Sequence, residues 1–130
     1  MQQNDLMDLL MLEKKIYNSL NEVQDLTRQL AEALDRQDQV SVRMLLTMRQ
    51  EPIDVIQDAQ GRLLERQIAL GGEDATRLRA LLQGGAPAGP AEQPLAEQIA
   101  TNRRLLEKVV EQDRRLSQRL GGKASYYQEP

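Results

Sequence analysis

Residues 5–37 read DLMDLLMLEKKIYNSLNEVQDLTRQLAEALDRQ. Apolar side chains recur at Leu9, Leu12, Ile16, Leu20, Val23, Leu26, Leu30 and Leu34. That three-and-four spacing lays them on one stripe of a helix, and Leu9, Ile16, Val23 and Leu30 repeat at the heptad. Neither Pro nor Gly interrupts the run. At 1.5 Å per residue such a helix is about 50 Å long. A rod of that length cannot turn back to cover its own stripe, so it requires a long helical companion.

The companion follows at once. Residues 35–41 read as a turn, in which Asp38 or Ser41 is placed to accept the first free N–H groups of a second helix. Its stripe is Val42, Leu45, Leu46, Ile53, Ile56, Leu63, Leu64 and Ala69, with Arg49 as a flaw in the heptad that joins Val42, Ile56 and Leu63. Pro52 predicts a kink or break near Glu51, because its ring meets the preceding turn and its N–H is missing. Gly71 and Gly72 end this segment, and residues 73–82 predict a short helix with acids at its start. Residues 84–94 are rich in Gly, Pro and Ala and read as a flexible linker. A last amphipathic helix spans 95–120, starting at Pro94 or Leu95. Its seam is Leu95, Ile99, Asn102, Leu106, Val109, Asp113, Leu116 and Leu120. Residues 121–130 are expected to form a flexible tail. The expected fold is all-α and a single domain. Residues 1–83 form an elongated antiparallel helical hairpin with a short extra helix, and the last helix lies along part of it as a three-helix coiled-coil bundle.

Composition narrows the function. The only aromatic residues are Tyr17, Tyr126 and Tyr127, so any core is aliphatic, which suits helix seams and suits strands poorly. The chain lacks His and Cys, which removes the usual general base, thiol nucleophiles and the commonest transition-metal ligands. Paired carboxylates such as Asp54 with Asp58, or Glu107 with Glu111, sit at helical spacing and read as solvated faces. No glycine-rich phosphate loop is present. No catalytic residue, metal site or cofactor is therefore expected. A net charge of -3 argues against nucleic acid as a partner. No apolar run approaches a membrane span, and no signal peptide opens the chain, so a cytoplasmic location is expected. Acids outnumber bases in 5–38 and bases outnumber acids in 95–120, so these two segments are suited to lie side by side.

Several residues carry two readings. Asn102 and Asp113 fall on the last seam. Either they select a register or the helix turns them to its edge; the edge is expected for Asp113, and Asn102 is left open. Met7, Met11, Met44 and Met48 form two i, i+4 pairs, expected as ordinary core filling rather than an adaptable binding surface. Tyr126 and Tyr127 read either as a partner contact or as a tail without a role. The candidate partner-binding set is Leu95, Ile99, Asn102, Leu106, Val109, Val110, Leu116 and Leu120 of the last helix, in the helix-in-groove mode, together with Tyr126 and Tyr127.

The layout as a whole resembles a known family. A long first helix leads to Leu34-Asp35-Arg36-Gln37-Asp38. A second helix carries Leu45-Leu46 near its start and Leu63-Leu64-Glu65-Arg66 near its end. A Gly/Pro-rich stretch then leads to Asn102-Arg103-Arg104-Leu105-Leu106-Glu107, and a Tyr follows the last helix. This pattern, departing only at Pro52, resembles the FlgN-type flagellar export chaperones and, more loosely, the FliT type. The resemblance implies a cytoplasmic chaperone that holds hook–filament junction subunits before type III secretion. It implies that the last helix binds the client's own amphipathic terminal helix through Ile99, Leu106, Val109, Val110 and Leu116, with Tyr126 and Tyr127 as outliers. The competing expectation is a structural coiled-coil protein that scaffolds a complex or pairs with a second copy through an uncovered seam.

Overall fold

A computed structural model describes residues 1–121. The elements in order are α1 (Gln3–Asp35), α2 (Gln39–Leu70), α3 (Gly72–Leu82), a 3-10 turn (Pro90–Glu92) and α4 (Gln93–Arg119). No strand occurs among the described residues, so the protein is all-α. Local chemistry sets the boundaries. Gln2 N–H donates to Asp5 Oδ2 at 3.1 Å and starts α1. At its other end Gln37 takes the left-handed backbone (φ 58), which lets Asp38 N–H reach Ala33 O and Gln37 N–H reach Leu34 O. Asp38 then caps α2, accepting from Ser41 N–H at 3.1 Å and from the Ser41 hydroxyl at 2.6 Å.

The break expected at Pro52 does not occur, and α2 runs unbroken from Gln39 to Leu70. Pro52 lies on the buried face of the helix with Leu45, Arg49, Ile56, Ala59 and Leu63. The missing N–H costs one bond, while packing of this whole face holds the turns on either side of the ring.

α1 is the central rod. α2 runs antiparallel along one flank, with Arg66 pairing with Asp8 at 3.2 Å. α4 runs parallel to α1 along the other flank, so that Asn102 meets Glu13 near one end and Arg119 meets Asp35 at 2.6 Å near the other. The acidic first segment and basic last segment do lie together, although the Arg119–Asp35 pair is exposed and contributes little to stability. No Cα of α2 lies within 8 Å of one in α4. The two flanking helices share α1 but leave a channel between them. At the end where α1 begins, α3 lies in that channel and packs on both α2 and α4. Its Leu78 and Leu81 are fully buried there.

Two aliphatic clusters fill the interior. One gathers Leu9, Ile16, Leu20, Ile56, Leu63, Leu78 and Ile99 with their neighbours, and the other gathers Leu26, Leu30, Ala33, Leu45 and Leu116. Met7, Met11, Met44 and Met48 belong to neither. All four are exposed, which corrects the core-filling expectation. The faces that carry them turn away from the seams along which α2 and α4 meet α1.

The Gly/Pro-rich stretch is hung on one residue. The Arg77 guanidinium donates to both Glu92 carboxylate oxygens, at 2.9–3.1 Å, and to Ala86 O at 2.7 Å. Ala88 N–H donates to Glu92 Oε1 at 2.8 Å. The hydrogen bonds from Arg77 hold the Glu92 carboxyl below its ordinary range. This bracket turns the chain back from the end of α3 to the start of α4. Pro94 then sits in the first turn of α4, where its missing N–H costs nothing.

Candidate helix-docking groove

The seam expected on the last helix divides in two. Leu95, Ile99, Asn102, Val109 and Leu116 are buried in the bundle. Leu106 and Val110 remain open, at 40% and 58% exposure, and Leu120 is half-buried. Full burial of one aliphatic side chain is worth roughly 1.5–3 kcal/mol. Four such side chains make docked α4 the stable arrangement. Tyr126 and Tyr127 lie outside the described residues.

Two polar contacts register the helices. Asn102 Nδ2 donates to the Glu13 backbone carbonyl and to Glu13 Oε1, both at 2.8 Å, and Asn102 Oδ1 accepts from Gln98 Nε2 at 3.2 Å. The side chain thus uses both ends of its amide in a buried setting, which fits register selection. Glu13 is only 5% exposed. Burial pushes its carboxyl above the ordinary range, and the hydrogen bond from Asn102 pulls it partway back. Farther along, between the two aliphatic clusters, Arg49 Nη2 donates to Asp113 Oδ1 at 2.5 Å. The expectation that Asp113 would turn to the helix edge is corrected: it faces across the channel to α2. Burial lowers the Arg49 pKa and raises that of Asp113, and each charge opposes the shift of the other.

Between these polar layers the channel is unfilled. α3 ends at Leu82, and beyond it lies an open groove of about 300 Å³. Its floor is Ile16 and Leu20 of α1 beside the Glu13–Asn102 pair. One wall is Ile56, Gln60, Leu63 and Leu64 of α2, and the other is Ile99, Arg103 and Leu106 of α4. Arg103 Nη1 donates to Leu82 O at 3.1 Å and so marks the end nearest α3. The volume is at the lower end of the roughly 300–1,000 Å³ usual for ligand sites. Its shape is a trough along the helix axes. A trough of this lining has room for a row of aliphatic side chains.

The structure brings together Ile99, Asn102 and Leu106 from the sequence-derived set, and adds residues that set did not contain. Glu13, Ile56, Gln60 and Leu64 line the groove but belong to other helices. The signal for Ile56 and Leu64 was present in the stripe of α2. What the sequence lacked was the angle at which α2 and α4 stand about α1. Among the described residues no group of His, Cys, Asp or Glu side chains is placed to hold a metal ion, and no helix is long and apolar enough to cross a membrane. Compared with protein-family models, with curated proteins and with solved structures, the chain matches none.

Proposed function

We propose that this protein is a chaperone that holds one amphipathic helix of a partner polypeptide in the groove between α2 and α4. The observation that carries the reading is the open aliphatic trough, walled by two helices that share a third but do not close on one another. An amphipathic helix laid in such a trough buries its apolar stripe and leaves its polar face in water. A client that is unfolded until secretion gains its helix on binding, and buried apolar area offsets the ordering cost. The resemblance to FlgN-type chaperones names the client class: the terminal helix of a hook–filament junction subunit, held in the cytoplasm before type III export. Here Leu106 of α4 acts with Leu64 of α2, rather than α4 acting alone.

The test uses substitutions that spare the core. Leu106→Asp and Leu64→Asp alter exposed side chains, so helicity and melting temperature should stay close to those of the parent. A peptide of the client's terminal helix should bind the parent one to one by calorimetry, and either substitution should weaken it at least about tenfold. A chain that ignores the peptide and instead sediments as a dimer through this face is a scaffold, and the chaperone reading then fails.

A further inference from the structure

We propose that the partner helix carries one Lys or Arg on its apolar stripe, and that this cation pairs with Glu13 at the floor of the groove. The inference rests on the docking reading above and specifies its partner. Glu13 is an acid almost sealed from solvent in a trough that is otherwise largely aliphatic. Asn102 Nδ2 supplies one hydrogen bond to the carboxylate, at 2.8 Å. A carboxylate has about four acceptor sites, so one donor does not satisfy it. The cation that lines the trough, Arg103, is committed elsewhere, with its guanidinium on Leu82 O at the end of α3. A helix that fills the trough closes off the little exposure Glu13 keeps, and a purely aliphatic occupant brings its carboxylate no further donor. A cation on the occupant offsets this, and it also gives selectivity against aliphatic helices that lack one.

The rest of the partner's chemistry follows from what already fills the channel. α3 occupies its first part with Leu78 and Leu81, three residues apart and fully buried. The open groove begins at Leu82, where α3 stops, and continues the same seat toward Arg49 and Asp113. The occupant is therefore a helix with aliphatic residues at i, i+3 and i+4, interrupted at one place by the cation.

The probe is a synthetic amphipathic Leu-rich helix and a series in which a single Lys is walked along its apolar face. Each peptide is titrated against the full chain and against Glu13→Gln, which keeps an acceptor for Asn102 but loses the charge; circular dichroism establishes that the variant is folded. One Lys register should bind the parent at least about tenfold more tightly than the all-Leu peptide, the scale of a charge-assisted hydrogen bond. That advantage should vanish in Glu13→Gln. If the all-Leu peptide binds the parent as tightly as every Lys peptide, helix docking stands and the role of Glu13 is overturned. If no peptide binds either protein, the docking reading falls and takes this inference with it. Binding that appears only in a chain cut after Gly122 assigns the groove to the chain's own tail. A dimer lost in Leu106→Asp assigns it to a second copy. Either result overturns the inference.

Discussion

Arg49 is 1% exposed and meets Asp113 across the channel. Removing the anion alone would take the Asp113 counter-charge from a buried guanidinium, so Asp113→Ala should destabilise the fold by about 3–5 kcal/mol. Replacing both partners with aliphatic residues, as in Arg49→Met with Asp113→Leu, should cost far less. Urea denaturation of the two singles and the double checks this, and a double as unstable as Asp113→Ala would show that the loss comes from the pair's own contribution and not from an uncompensated charge. Glu13 gives a prediction in pH. Its carboxyl is raised in the folded chain, mainly by burial, so the folded state holds the proton more tightly than the unfolded one. That contribution is fully present below the ordinary value of 4.5 and is lost as pH rises through the raised value. Glu13→Gln should therefore gain stability relative to the parent as pH climbs from 4.5 toward neutrality, and a pH-independent difference would count against a buried acid. These residues were only partly legible. Asn102 and Arg49 stood out because each interrupts an apolar stripe. Glu13 did not, although Leu9, Glu13, Ile16 and Leu20 are themselves at four-three-four spacing. The apolar Leu12 next to it supplied a complete stripe, and only the approach of α4 on that side buries the acid.

At the scale of the element, turn chemistry decides where helices stop, and most of it can be read in advance. The Asp38 cap and the glycines after Leu70 and Leu82 mark boundaries because their physical roles are specific to residue type. Gln37 is harder to read, since it holds a left-handed conformation that glycine adopts without strain. Gln37→Gly should raise stability by up to about 1 kcal/mol, with the added freedom of the unfolded chain limiting the gain. A lower melting temperature would mean that the Gln side chain supports the turn. Gly85 poses the opposite case. A Cβ there would lie 2.7 Å from the Ala80 carbonyl oxygen, the same oxygen that accepts from Gly85 N–H at 2.8 Å. The neighbour is backbone and cannot swing aside, so Gly85→Ala should cost about 1–3 kcal/mol and loosen the end of α3. Pro52 shows the limit of such local rules. A proline inside a helix predicts interruption from its own bonds alone, whereas here the buried face shared with Leu45, Ile56 and Leu63 keeps the helix continuous.

At the scale of the molecule, stripes reveal that helices pack but not how many neighbours each one has. Three stripes are compatible with a closed bundle or with an open layer, and the choice depends on the angle between α2 and α4 around α1. α3 is the consequence of that openness. It packs on α2 and α4 but not closely on α1, so it depends on the channel while the three long helices depend less on it. Native-state hydrogen exchange should therefore show residues 72–82 opening at lower free energy than the centre of α1. Leu78→Ala removes a fully buried side chain and should lower that opening energy by about 2–5 kcal/mol, with smaller effects on α1 and α2. Client binding should have the reverse effect. A helix seated in the groove would abut the end of α3 at Leu82 and cover the Arg103 contact there, so protection across 72–82 should rise on saturation. Exchange in α3 that quickens with client would instead mean that the client takes the whole channel and expels α3. The groove would then be a displaced seat of α3 and not a vacancy beside it.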